Sequence, residues 1–561
     1  VSLAGLLLAT QVATASAPEI EAALLRARAA VDGYARRHLA EAGVPGIALA
    51  VTDRSGLLQA GVYGSSDARS RDPLTNATLF PIGSISKAFT AVLLLQLQDE
   101  GRFDPRLPVA RYLPWFRTAG QASLTAHQLL THTADIPRDR DDIPSGPYQA
   151  FALRERPPGN TRDRFWYSNV GYQVLGQVAE AIGGQPLPRL LHARVLDPLA
   201  MSMSEPAITG DLRLRMAVGH VPQFDDRPAP PLGPLVPATW IDYGSGDGGV
   251  AATASDLAAF ARLLLNRGQG PKGRLLSEAA FARLLEPVVL VSGAGDTAVH
   301  YAYGLQVSQA EGRSVFAHTG GMVGHTAVMI GDLTAGVAVV ALANVARAGY
   351  RPREVAEYAL AAHVAALAGR LPPPAPASDP WAVEGVSDYV GHYAADGGWT
   401  FDVVAESNRL LLVADGRRSP LLPQGKDRFL ADRPELALFL LDFGRDAAGA
   451  VVEAFHGGDW FPGARYTGRR SFQHPPEWDF YVGHYRASQA FANNFRVVLR
   501  KGRLLLVWPE GTEEALAAAG PGGAFRVGER TPERITFDSV VSGRALRATL
   551  SGCAYYRVFT P

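Results

Sequence analysis

The sequence predicts an α+β domain, with an antiparallel sheet and flanking helices, followed by two small all-β barrel domains. Three observations predict it. Apolar strand-like runs stand at both ends of the first 370 residues, with helical patterns between them. A proline-rich stretch, Leu371 to Pro380 (LPPPAPASDP), then interrupts the chain as a stiff linker. Beyond it, two pentapeptides recur in the same order. Tyr389-Val390-Gly391-His392-Tyr393 returns as Tyr481-Val482-Gly483-His484-Tyr485, and Arg409-Leu410-Leu411-Leu412-Val413 returns as Arg503-Leu504-Leu505-Leu506-Val507. Two copies of roughly 90 residues, strand-like and rich in Gly turns, form two small barrels or sandwiches.

The elements follow in order. Residues 1–17 resemble a secretory signal that lacks its basic start: an apolar run, Leu3 to Ala9, then Ala13-Thr14-Ala15 as a cleavage site. This predicts a periplasmic or secreted protein; the competing reading is an N-terminal helix. Residues 19–43 have helical periodicity. Gly46 to Val51 and Leu57 to Val62 read as a strand hairpin. A helical pattern runs from Phe80 to Glu100 and ends at Gly101. Mixed helix and loop follow to about residue 290. Strands are predicted at 315–319, 323–330 and 336–343, with a closing helix near 352–369. The domains are therefore 18–370, a linker 371–380, and barrels 381–473 and 474–561, divided at Gln473-His474-Pro475-Pro476.

Lys+Arg is 54 and Asp+Glu is 54, so the formal net charge is zero. That balance argues against nucleic acid or another polyanion as the main partner. No later window is apolar over 18 residues, so no membrane span is predicted. The single cysteine, Cys553, excludes an intramolecular disulfide, and its apolar-aromatic setting predicts a packed core thiol. Only Lys87, Lys272, Lys426 and Lys501 are lysines, so a lysine inside a motif carries weight. The repeated His392 and His484 lack neighbouring ligands and predict no metal site. Without HExxH, paired cysteines or a P-loop, no metal or other cofactor is expected.

Three motifs carry chemistry. Ser84-Ile85-Ser86-Lys87 is an S-x-x-K at the start of a helix. Residues three apart share a helix face, so the hydroxyl and the amine can meet. The helix continues as AFTAVLLLQL, apolar almost all round, and so runs through a core. Burial there favours a neutral amine, which is what a base activating a serine requires. The helix N-terminus also offers backbone N–H groups to an oxyanion. Tyr167-Ser168-Asn169 is a Y-x-N triplet before a second helix. Its tyrosine is suited to proton transfer and its carboxamide to a substrate amide. His318-Thr319-Gly320-Gly321 lies on a late strand, where glycines allow close approach of a ligand backbone.

In the order S-x-x-K, Y-x-N, [K/H]-x-G, these motifs resemble the serine β-lactamase and DD-peptidase superfamily. The likeness is greatest to its class C β-lactamase-like branch of DD-carboxypeptidases, esterases and D-aminopeptidases. Leu129-Leu130-Thr131-His132-Thr133 and Gly248-Gly249-Val250-Ala251-Ala252-Thr253-Ala254-Ser255-Asp256-Leu257 look like two further stretches of that branch. The resemblance covers about residues 20 to 370, and the appended β-domains match the layout of its D-aminopeptidases.

What it implies is a β-lactamase/transpeptidase-like fold and an acyl-enzyme mechanism without a cofactor. Ser84 is then the nucleophile. Lys87 and Tyr167 move its proton, and Asn169, His318, Thr319, Gly320 and Gly321 bind substrate. The N–H groups of Ser84 and Gly321 form the oxyanion hole. His318 stands where β-lactam-specific members usually have lysine. A largely neutral imidazole is a weaker clamp for a carboxylate, which favours small D-amino-acid amides or short peptides, then esters, then β-lactams. Ala134-Asp135 stands where the branch often has Ser-Gly. An aminopeptidase also needs a carboxylate for the substrate ammonium. Candidates are Asp139, Asp141 and Asp142, or a last-domain loop bearing Glu510, Glu513 and Glu514. Two other classes compete: a penicillin-binding sensor that acylates without turnover, and an idle scaffold, against which the intact Ser84, Lys87 and Tyr167 count.

Overall fold

The computed structural model describes the chain except residues 1–15, 117–123, 139–145, 154–163, 311, 348, 378, 396–397, 521–522 and 560–561. The signal-like run and Asp139, Asp141 and Asp142 thus fall outside the described residues, save for Ser16 and Ala17.

An N-terminal helix α1 (Ala17–Glu41) leads into strands β1 (Gly46–Asp53) and β2 (Leu57–Gly64). Helices α2 (Ser86–Asp99), α3 (Asn169–Gly183) and α4 (Ala254–Leu265) follow. Six more strands come next: β3 (Val289–Ser292), β4 (Val299–Tyr301), β5 (Gln306–Ala310), β6 (Arg313–Met322), β7 (His325–Asp332) and β8 (Val337–Ala343). Helix α5 (Arg353–Leu367) closes this part. The strands form one antiparallel sheet in the order β2-β1-β8-β7-β6-β5-β4-β3. The N-terminal strand β1 pairs with β8, with Ile47 opposite Ala343 and Val51 opposite Val339.

Helices cover both faces of this sheet, so its central strands are apolar without interruption. Alternation survives as a choice of partner. Ile47, Leu49 and Val51 face α1 and α5, while Ala48 and Ala50 face the side of α2 and α4. The small alanines let α4 lie close, and its Phe260 stacks on Phe89 of α2 at 3.8 Å. Helix α2 is buried from Ser86 to Leu95 without a break, as an all-apolar helix must be.

Strands β3, β4 and β5 were not expected from the sequence. They are short and half-exposed at the sheet edge, so they carry little apolar pattern.

The repeat builds two all-β bodies of eight strands each. In the first, strands from Gly391–Ala394 to Asp459–Pro462 follow one another in a single sheet. A bridge between Tyr393 and Gly463 brings its ends together. In the second, strands from Gly483–Arg486 to Cys553–Val558 close into a barrel. The repeated tyrosines do the same job in each: Tyr393 donates to the Tyr389 carbonyl and Tyr485 to the Tyr481 carbonyl, both at 2.8 Å. The repeated histidines diverge. His392 contacts Asp402 at the surface, whereas buried His484 contacts Asn494 Oδ1 at 3.1 Å. Cys553 is buried in the second barrel's core.

The second barrel docks on the α+β body. Asp225 accepts from Arg486 at 2.6 and 3.0 Å and from Asn493 at 2.8 Å, and Asp226 pairs with Arg496 at 3.2 Å. Among the described residues no helix is long and apolar enough to cross a membrane.

Candidate active site

Ser84 does not begin an α-helix. It sits in a 3₁₀ turn, Gly83–Ile85, that feeds α2. The turn exists because Gly83 adopts φ +50°, a conformation side chains rarely take. Gly83 also lies against β6. A Cβ there would be 2.5 Å from Gly321 O and 2.7 Å from Gly321 N, and one on Gly320 would be 2.0 Å from Ile82 O. Glycine in both segments therefore brings the nucleophile's turn beside the His318–Gly321 strand, where the backbone of Gly321 is exposed.

Lys87, one helical turn on, is fully buried. Its Nζ donates to Ser84 Oγ at 3.0 Å, Asn169 Oδ1 at 2.7 Å and the Asp247 carbonyl at 3.0 Å. Three acceptors from three segments fix the amine on the serine. The Tyr167 ring lies over Nζ at 4.9 Å. His132 holds this loop: its Nδ1 accepts from the Ser168 N–H at 3.1 Å and its ring packs 4.3 Å from that of Tyr167. Ser168 caps α3 by accepting from the Gly171 N–H. The Asn169 carboxamide oxygen is thus held by Lys87.

His318 departs from the expected role. Its Nδ1 is 2.7 Å from the Thr319 carbonyl, so Nδ1 carries the proton. Its Nε2, 3.0 Å from Tyr301 Oη, then accepts from that hydroxyl. Burial, reinforced by Lys87, pushes the imidazole down to about 3. A neutral ring with both nitrogens engaged is a packing element, not a clamp for a substrate carboxylate.

Three side chains not singled out from the sequence stand at the cleft. Asp247, Tyr243 and Phe491 line it together with Ser84, Asn169, Gly248, Gly321 and Met322, around a volume of about 80 Å³. Asp247 is buried, and both its carboxylate oxygens accept from Tyr243 Oη, at 2.9 and 3.0 Å. Burial pushes its carboxyl up, while Lys87 acts in the opposite sense. Its place is set by the adjoining stretch: Ile82 donates to the Val250 carbonyl at 3.0 Å, and Val250 donates to Ser86 Oγ at 3.1 Å. The sequence signal was its position directly before Gly248-Gly249. Phe491 comes from the second barrel's 487–493 turn. The loop with Glu510 and Glu514 lies instead on a larger neighbouring cavity, and Glu513 pairs with Arg500 at 2.7 Å. A fourth group, Arg351, reaches the rim: a Cβ on Gly321 would be 3.3 Å from its Nη2.

The model of the family described as Beta-lactamase matches residues 31–363, more than half of the chain. The chain belongs to that family. Penicillin-binding protein 4 of Amycolatopsis lactamdurans is 30% identical over 320 residues, 54% of this chain and 81% of its own length. A D-aminopeptidase of Cereibacter sphaeroides is 27% identical over 300 residues, 51% of this chain and 54% of its own length. Among solved structures, a penicillin-binding protein homologue from Pyrococcus abyssi shares the fold with a TM-score of 0.55 at 24% identity. The match covers 77% of this chain and 98% of that one. The protein is a serine hydrolase of the beta-lactamase family, with two eight-stranded β-bodies appended to its catalytic fold.

Proposed function

We propose that the protein is an exported acyl-transfer hydrolase that removes small D-amino acids from amides or short peptides. Ser84 Oγ attacks the carbonyl carbon. Its proton passes through Lys87 Nζ and Tyr167 to the leaving amine, and the C–N bond breaks to leave an acyl ester on Ser84. Water then takes the acyl group, returning the proton to Ser84. The backbone N–H groups of Ser84 and Gly321, brought side by side by Gly83, carry the oxyanion.

The observation that carries the amine-bearing substrate is Asp247, a buried carboxylate on the wall of the Ser84 cleft. An α-ammonium placed there pairs with it while the adjacent carbonyl meets Ser84. A cleft of about 80 Å³ suits a small side chain. The D-configuration draws on the similarity to the Cereibacter sphaeroides D-aminopeptidase.

The test is a panel of D-alanine p-nitroanilide, p-nitrophenyl butyrate and a chromogenic cephalosporin, with wild type, Ser84→Ala and Asp247→Asn. Loss of all turnover in Ser84→Ala is expected. Asp247→Asn is expected to weaken kcat/KM for the D-alanine anilide about 100-fold and leave the butyrate, which has no amine, within a few fold. Equal effects on both would remove the ammonium role. A stable cephalosporin adduct without turnover of any substrate would make the protein a penicillin-binding sensor.

A second reading, a DD-carboxypeptidase or weak β-lactamase, is favoured by Arg351. Its guanidinium at the Gly321 rim supplies the carboxylate contact that His318 does not.

A further inference from the structure

A cavity of about 570 Å³ lies outside the Ser84 cleft. It opens at one end of the second barrel, where the turns around 487–493, 508–512, 528–533 and 551–552 converge. Eight strands leave room for one small ligand at such a mouth. Its floor is apolar, with Val527, Leu550 and Cys553, and Trp508 and Tyr555 stand in its wall. Arg138 and Trp166 of the catalytic body close the open side. Trp166 directly precedes Tyr167, and Phe491 lines both this cavity and the Ser84 cleft. One aromatic ring is therefore the shared wall between the two spaces.

The lining is unequal in charge. Among the described residues it holds Glu510, Glu514 and Glu533 against one cation, Arg138. Glu533 accepts from the Arg138 backbone N–H at 2.8 Å and from Ser551 Oγ, so it serves the docking of the barrel. Glu514 accepts from the Trp508 indole at 3.2 Å. Glu510 stands exposed at the mouth of the cavity, and Glu514 is half-buried beside Trp508. A cation between these two carboxylates, against the Trp508 indole, would gain both ionic and aromatic contacts.

We propose that this cavity is a binding site for a basic side chain, an ammonium on an apolar stem, of the residue that follows the scissile bond. It rests on the D-aminopeptidase reading. There Asp247 ends the substrate at its α-ammonium, the small cleft holds only the acyl residue, and the chain can continue only on the leaving side. From there the path over Phe491 enters the barrel mouth.

The experiment compares kcat/KM for D-alanyl-L-lysinamide and D-alanyl-L-norleucinamide, which differ in the terminal charge, on the full chain and on Glu510→Gln/Glu514→Gln. Wild type is expected to prefer the lysine peptide at least tenfold, and the double variant to reduce that ratio to about one. A wild-type ratio near one overturns the proposal, whether or not the variant folds, and so does a ratio that the variant leaves unchanged. If neither peptide nor D-alanine p-nitroanilide is cleaved, the D-aminopeptidase reading fails by itself. The cavity is then judged by calorimetric titration with pentylammonium. Binding weakened at least fivefold by the double variant and unmoved by Asp247→Asn supports the site. Absence of binding, or weakening by Asp247→Asn alone, overturns it.

Discussion

Phe491, carried on a turn of the second barrel, walls the cleft that holds Ser84. The ring also packs against an apolar cluster of the catalytic body that includes Leu79, Ile208, Met216 and Met322. The cleft that holds Ser84 is thereby lined by two different parts of the chain. The ion pairs of Asp225 and Asp226 with the barrel keep that ring in place.

Phe491→Ala is expected to enlarge the cleft. The ratio of kcat/KM for D-phenylalanine amide over D-alanine amide should rise about tenfold, mostly through KM. Steady-state kinetics on the two amides check this; an unchanged ratio would mean that the ring does not limit the acyl pocket.

Lys87→Ala removes the amine that Ser84, Asn169 and the Asp247 carbonyl surround. Loss of a positioned acid–base group lowers kcat by about 10²–10⁴-fold. Single-turnover acylation measured by mass spectrometry should slow by the same factor, and Lys87→Arg should not restore it, because a guanidinium does not give up its proton.

Gly83→Ala tests the close approach to β6. A methyl at 2.5 Å from Gly321 O, on a residue at φ +50°, cannot be accommodated without moving one strand. The expected cost is about 1–3 kcal/mol of stability. Activity should fall much more than the melting temperature indicates, because the nucleophile and the oxyanion donors separate together. Calorimetry and kcat on the same preparation decide it.

Acid should destabilise the fold through His318. Its ordinary value is 6.5 and burial pushes it down to about 3 in the folded chain. The unfolded state therefore binds more protons between those values. Stability from this group is complete above about pH 6.5 and declines as pH falls toward 3, by at most about 1.4 kcal/mol per pH unit. His318→Asn should flatten the dependence of Tm on pH between 6.5 and 4. An equally steep curve in the variant would place the acid sensitivity elsewhere.

Arg351→Ala is expected to weaken kcat/KM about tenfold for a substrate with a free carboxylate, such as D-alanyl-D-alanine, and to spare D-alanine amide. The two substrates assayed side by side separate a carboxylate contact from a general loss of activity.

Much of this was legible in the chain itself. The motif containing Ser84 and Lys87 depends on i,i+3 spacing, which is local, and the structure places the two atoms 3.0 Å apart. The repeated tyrosines announced two like β-bodies because each makes the same bond four residues back. The three short edge strands were not legible, since half-exposed strands need no apolar alternation. Asp247 was missed because its one local signal, the place before Gly248-Gly249, does not say that its carboxylate will be buried beside a serine 163 positions earlier. His318 was read from its place in a motif, but Tyr301 and Thr319 determine what its nitrogens do.

The sequence by itself determined the chemistry: a serine with a lysine one turn away, in a helix too apolar to lie anywhere but in a core. It also determined the number of β-bodies. Only the tertiary structure decided which groups stand around Ser84. Asp247 and Phe491 reach the cleft, and Arg351 reaches Gly321 at its rim, from loops and from another β-body, through contacts between residues far apart in the chain. Side-chain spacing encodes a helix face, but the docking of separate bodies depends on surfaces that no local pattern records.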